Sequence, residues 1–346
     1  MQNPNSTHRA DSFDLLRLIA SLLVLWSHQH VLLGFPEPAV SILQGSIGTL
    51  GVTVFFAISG YLNALSLLRR QSVRSFLISR ALRIYPALII CVLFCVILGA
   101  IITTDPARFF GLKTLKFLVQ NSTLIGIEVR LPGVFETNIY RDAVNGSIWT
   151  LPMEIACYLG LAILGAMCSY RSSRFLAGLC AVAVGLWLFS AFVRDINSDW
   201  LVKLDHFPRF YGAVFLGAAL LAMAERAFDL QRALLLLVAT SGIFALTGQT
   251  QTAILIALPA AVISIGRLPS GNWLRVPIDI SYGTYLYAFP IQQLVASYRL
   301  PFWPSLCLSL AATLIAGTLS AILIEQPALR WRQRRESSLL PATLAS

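Results

Sequence analysis

The stretch Phe13 to His30, FDLLRLIASLLVLWSHQH, decides how the chain is read, because it sets an arginine and a histidine inside an apolar run long enough to cross a bilayer. Placed on a helix, Arg17 and His28 lie roughly 1100° apart in rotation, within about 20° of one face, and about 16 Å apart along the axis. Ionisable side chains are costly inside a membrane unless they face protein or a wet cavity, so one stripe carrying both points to a function. His30 sits about 200° round from His28 and cannot share that stripe.

The rest of the chain agrees with a membrane setting. Of 346 residues, 57% are apolar and only 12% charged, with a mean hydropathy of +0.73, which leaves too little polar surface to cover a soluble globule. The six cysteines fall in apolar segments with no CxxC pair and no histidine at ligand spacing, so they read as small core residues and no metal is expected. Residues 1–12 are polar and the first apolar run is of full span length, unlike a signal peptide.

At roughly 20 residues per crossing, helices are expected near 14–34, 45–67, 84–103, 147–168, 175–193, 209–224, 233–247, 251–265, 278–298 and 303–324. The expected fold is therefore all-α, a polytopic bundle of about ten transmembrane helices. The two short segments flanking Gly248 to Gln251 also fit a single re-entrant hairpin. With the N-terminus inside, 17 of the 26 basic residues fall on the inner side, and the outer side carries a net charge of only +1. That bias places both termini in the cytoplasm and makes the net charge of +10 a topological signature, not a nucleic-acid-binding surface. The division is a cytoplasmic segment 1–10, a membrane domain 11–330 and a disordered cytoplasmic tail 331–346. The long loop 104–146 lies outside, with Phe109, Phe110, Leu115, Phe117 and Leu118 expected along the membrane surface.

Four polar constellations interrupt the spans. In GVTVFFAISGYL, Gly51 to Leu62, the small residues allow close helix contact, and Ser59 is a candidate lining residue. In SFLISRALRIYP, Ser75 to Pro86, Arg80 and Arg83 share a face near Arg17. Three guanidiniums converging there suit an anion such as phosphate, against the plainer reading that they obey the positive-inside rule. In NGSIWTLPMEIACY, Asn145 to Tyr158, Glu154 lies at about the same depth as His28. A carboxylate near an imidazole supports a general base, whereas the structural alternative is a pairing of Glu154 with a buried cation. Ser147 and Trp149 flank that position as further candidates. In ISYGTYLYAFP, Ile280 to Pro290, Tyr282 and Tyr285 are either belt residues or part of the site's surroundings.

These blocks, in this order and closed by Glu325-Gln326-Pro327, resemble the acyltransferase-3 family of bacterial integral-membrane acyltransferases, which O-acylate sugars of surface glycans. The resemblance covers about residues 11 to 330. It implies an acyl-coenzyme A co-substrate, acetyl-coenzyme A foremost, approached from the cytoplasm, with no bound cofactor. It also implies a hydroxyl acceptor on a cell-surface polysaccharide or its lipid-linked precursor, and a place in the bacterial inner membrane. Carried onto this chain, His28 is the catalytic histidine, Arg17 its partner across the donor channel, and Arg80 and Arg83 the contacts for the donor phosphates. The ninth-helix block departs from many members, which place a histidine before the proline where this chain has Phe289. An appended hydrolase-like domain, present in some relatives, is not expected. The rival reading is a transporter of a lipid-linked glycan or small anion, since intramembrane Arg, His and Glu also mark transport paths, although no internal repeat is found. A blander alternative is an inactive scaffold subunit of an envelope assembly. Oligomeric state is left open.

Overall fold

The computed structural model describes residues 12–43, 45–141, 143–196, 208–227, 229–268 and 278–338, and these are nearly all helical. Helix α1 (Phe13–Leu32) is followed by a two-residue antiparallel pair, β1 (Ala39–Val40) with β2 (Gly45–Ser46), that leads into α2 (Ile47–Arg70). Ser46 starts α2 with a reciprocal cap, its hydroxyl accepting from the Thr49 N–H while Thr49 answers the Ser46 N–H. After a turn at Gln71 in the left-handed region, α3 (Val73–Ile102) begins on a Ser72 cap.

This third helix starts well before the expected position near 84. The Ser72 cap satisfies the Ser75 N–H and lets the chain turn into helix at once, so Arg80 and Arg83 stand inside α3. Between α3 and α6 (Leu151–Met167) come the short α4 (Pro106–Phe109) and α5 (Leu112–Thr123). The loop's apolar residues divide into two sets. Phe109 and Phe117 are fully buried and Leu118 packs on the core, while Phe110 and Leu115 are exposed, so only the last two keep the expected surface position.

The chain continues through α7 (Ser172–Ile196), α8 (Ala213–Ala227), α9 (Leu230–Leu246), α10 (Thr250–Gly266), α11 (Ser281–Ala296) and α12 (Phe302–Ser320). A wide π turn, Ala321–Glu325, then leads into α13 (Gln326–Ser338). Pro327 cannot donate to the preceding turn, and widening that turn is a common way to relieve its clash. Residues 331–338, expected in a disordered tail, continue as α13, because this polar run carries three arginines with a Gln and a Glu, all of which favour helix. The calls on Arg9, Arg275 and residues 339–346 fall outside the described residues.

Among the described residues, five helices are long and apolar enough to cross a membrane: Phe13–Leu32, Ile47–Arg70, Val73–Ile102, Ile148–Met167 and Phe302–Arg332. Shorter apolar helices cover Ser172–Leu186, Leu230–Leu246 and Thr252–Gly266. Helix α2 is the axle of the bundle, packed against both α1 and α8. Two glycines make that possible. A Cβ on Gly51 would come 2.5 Å from the Ala20 carbonyl oxygen of α1, and one on Gly60 would overlap the Phe215 carbonyl of α8. Gly60→Val is therefore expected to destabilise by about 1–3 kcal/mol or more, since backbone cannot yield as a side chain can. The readout is the thermal unfolding midpoint in detergent, and a midpoint equal to the wild type would refute the contact.

Candidate functional site

Contacts along α1 fix its register against the antiparallel α2. The Phe13 ring meets Tyr61 at 6.0 Å, Ala20 lies on Gly51, and Ser27 on Gly48. Arg17 thus stands level with the middle of α2, near Phe56, and His28 near the start of α2. The end of the bundle where α1 begins is called proximal below, the other distal.

A knot of charge occupies the Arg17 level. The Arg83 guanidinium of α3 is hydrogen-bonded to Asp279, just before α11, and lies 3.6 Å from Glu325 in the π turn. Arg17 pairs with Asp14 at 2.9 Å and with Asp279 at 3.7 Å. Asp279 also accepts from the Ser281 N–H at 3.1 Å and from its hydroxyl. Burial pushes the Asp279 carboxyl up, but Arg83, Arg17 and the Ser281 hydrogen bonds outweigh it and hold the group below the ordinary carboxylate value. Glu325, 3% exposed in its side chain, is also bonded by the Ser320 hydroxyl at 3.0 Å. Four chain segments are tied together in this way.

Beside the knot lies a cavity of about 400 Å³. Its proximal wall carries Arg69, Ser66, Asn63 and Arg80, its middle Arg17, Arg83, Ser59 and Glu154, and its distal wall Val52, Phe55, Thr150 and Tyr285. From Arg69 to Val52 is about 25 Å along α2. Pro152 starts α6 at a position where its missing N–H costs nothing, so the turn after it points Glu154 into this space. Tyr158, one turn on, donates to the Glu154 carboxylate, and Ser59 Oγ donates to it at 3.2 Å. Asn63 in turn donates to Ser59 Oγ at 3.0 Å, leaving its own buried carbonyl oxygen without a partner. A carboxylate held by two hydroxyls beside a row of guanidiniums can receive a proton or orient a polar substrate.

His28 is not among the residues lining that cavity. Its ring packs edge-on against Phe289 at 5.1 Å, and its buried Nδ1 has no hydrogen-bond partner. Phe289 is one turn beyond the cavity-lining Tyr285 on α11 and is received by Gly146, where a Cβ would come 2.6 Å from the ring. Val52, at the distal end of the cavity, is about 6 Å along α2 from Gly48, the level of His28.

Of the residues singled out in the sequence, Arg17, Arg80, Arg83, Glu154, Ser59, Tyr282 and Tyr285 thus meet in one cavity. Glu154 and His28, expected as a pair, are not bonded to each other: the carboxylate is taken by Ser59 and Tyr158. The expectation that the two lie at one depth also fails, since Glu154 bonds Ser59, about 16 Å along α2 from Gly48, the level of His28. Ser147 offers its carbonyl to the Tyr285 hydroxyl at 2.7 Å, while its own buried hydroxyl is unpartnered. Trp149 is part-exposed and stacks edge-on against Tyr211 at 6.0 Å. Tyr282 donates to the Ile84 carbonyl at 2.9 Å. Sequence reasoning passed over Asp279, Asn63 and Arg69. The available signal for Asp279 was an acid immediately before the ninth-helix block.

A family model described as an acyltransferase domain, Acyl_transf_3, matches residues 11–325. A protein named O-acetyl transferase from Shigella phage Sf6 is 29% identical over 327 residues, covering 92% of this chain and 96% of that protein. Nodulation protein 10 of Rhizobium leguminosarum bv. viciae is 28% identical over 362 residues, covering 95% and 96% respectively. No solved structure matches the chain.

Proposed function

The chain belongs to the acyltransferase-3 family, and from that premise we propose that it is a membrane O-acyltransferase that moves an acyl group, acetyl foremost, from acyl-coenzyme A to a hydroxyl of a cell-surface glycan or its lipid-linked precursor. The name of the phage relative supports acetyl as the group transferred. In this reading the protein crosses the bacterial inner membrane ten times, with both termini and the proximal end of the bundle in the cytoplasm. The observation that carries the proposal is the single cavity that starts among arginines and runs about 25 Å toward the distal side. Phosphate groups suit the arginine end, and the rest has the length for a thioester on an extended arm.

The chemistry needs a proton taken from the acceptor hydroxyl as its oxygen attacks the thioester carbonyl, and a proton given to the departing thiolate. His28 has a free ring nitrogen for the first task, and movement of the Phe289 ring joins it to the cavity. Glu154, fixed by Ser59 and Tyr158, orients the thioester end of the donor. The acceptor approaches from the distal side.

The test is full-length protein in lipid nanodiscs, given labelled acetyl-coenzyme A and a membrane glycan fraction. Label is expected in the glycan only when protein, donor and acceptor are all present, with free thiol appearing in equal amount. Glycan that stays unlabelled while coenzyme A stays acylated would refute the proposal.

A further inference from the structure

We propose that the Phe289 ring, backed by Tyr140, is a gate at the distal end of the cavity that keeps water from the donor's thioester until the acceptor hydroxyl arrives. The proposal rests on the acyl-coenzyme A reading above and concerns which nucleophile that site admits. Transfer to a sugar always has a rival, because water is the more abundant hydroxyl, and closing a site is the usual means of suppressing it.

The ring stands where such a gate is needed. Phe289, 4% exposed, lies one turn beyond the cavity-lining Tyr285 on α11 and packs on the His28 imidazole at 5.1 Å. The Tyr140 ring meets it edge-on at 6.1 Å and is itself exposed, so Phe289 links the imidazole to the surface of the protein. Leu32, Ala143 and Val129 complete the packing around it.

The loop that carries Tyr140 is held to α11 by a few identifiable bonds. Pro290 has no N–H, which leaves the Leu286 carbonyl one turn back without its helical donor, and Asn145 Nδ2 takes that place at 3.0 Å. Gln293, one turn beyond Phe289, is the second anchor. Its amide nitrogen donates to the Tyr140 and Ala143 carbonyls at 2.9 and 2.7 Å, and its oxygen accepts from Asn138 at 2.7 Å. One side chain therefore sets the position of three loop residues beside Phe289.

Two buried polar atoms next to the ring are bonded to no other residue. They are His28 Nδ1 and the hydroxyl of Ser147, which follows the Gly146 backbone that receives Phe289. Unpaired buried groups are uncommon and costly. With the ring in place neither residue lines the cavity, whereas a hydroxyl compound that displaces the ring supplies the partner both lack. If the gate opens without an acceptor, the water oxygen bonds to the thioester carbonyl carbon as the carbon–sulfur bond breaks. One water proton reaches the thiolate sulfur by way of His28, the other is released to solvent, and the products are a free carboxylate and a free thiol.

Full-length protein in nanodiscs is given acetyl-coenzyme A with no acceptor, and acetate and free thiol are followed. Phe289→Ala is expected to release both at least about tenfold faster than wild type. Phe289→Leu, which keeps most of the bulk, stays close to wild type, and Tyr140→Ala lies between. Adding His28→Ala to Phe289→Ala removes most of the gain, since one base serves both nucleophiles. A ring that only packs would lower the unfolding midpoint and leave hydrolysis at the wild-type rate. That result in Phe289→Ala and in Tyr140→Ala, where the ring lost is an exposed one, would overturn the gate, while wild-type transfer to glycan would leave the proposed function intact. Wild type that releases no thiol with or without glycan would overturn both.

Discussion

His28→Ala is expected to lower acyl transfer by about 10²- to 10⁴-fold, the usual worth of a positioned general base, while coenzyme A still binds with nearly wild-type affinity. The two readouts separate because the imidazole lies beyond the distal end of the cavity while Arg69 and Arg80 lie at its proximal end. Nothing bonds His28 Nδ1, so removing the ring breaks no hydrogen bond. The structural cost is confined to the edge contact with Phe289 and to the space left behind. Phe289→Ala is the companion variant. It removes the ring that covers His28 and is expected to keep transfer within about tenfold of wild type, a residue-sized loss of packing and no loss of the base. A His28→Ala protein that transfers at a rate close to wild type would remove the imidazole from the reaction. Equal losses in both variants would show that packing around Phe289 matters and that the base lies elsewhere.

The part of the fold that was legible in the sequence is the part that local chemistry decides. The apolar run at Phe13–Leu32 had to be a spanning helix, and the small residues of the Gly51–Leu62 block had to allow close packing, because both follow from bilayer thickness and side-chain volume. The arginine stripe was visible for the same reason, as charge where none should be tolerated. Its partners were not visible. Asp279 is 196 residues from Arg83 and stands at the very edge of the expected span 278–298, so no periodicity marks it, and only the folded bundle brings it to Arg17 and Arg83. Glu154 shows the same limit in another form. Counting residues put it level with His28, but the packing of α6 against α2 and α3 sets it beside Ser59 and Tyr158, about 16 Å along α2 from the His28 level. Arg69 was passed over because a cation at the end of an apolar helix ordinarily needs no further reason.

Asp279→Ala is expected to destabilise the protein by about 3 kcal/mol, more than any other single change at the knot, because it leaves Arg83 without its nearest counter-charge and Arg17 with Asp14 alone. The lower end of the range for a broken buried pair applies because the side chains of Arg83 and Asp279 keep 26% and 15% of their exposure, so water screens part of the charge. Asp279→Asn keeps the shape and the acceptor for Ser281 yet loses the charge, and is expected to recover only a minor share. The effect depends on pH with a definite sign. The carboxyl is held below its ordinary value in the folded protein, so its contribution is complete above about pH 4, the unfolded value, and is lost as pH falls through the lower folded value. Unfolding midpoints of wild type and Asp279→Asn in detergent should therefore lie apart at pH 7 and converge in acid. The cycle Asp279→Ala with Arg83→Met settles the pairing: if the two carry one interaction, the double variant is more stable than the sum of the single losses by at least about 1 kcal/mol. Losses that simply add would mean that Asp279 acts through Ser281 and the start of α11, with the arginines only nearby.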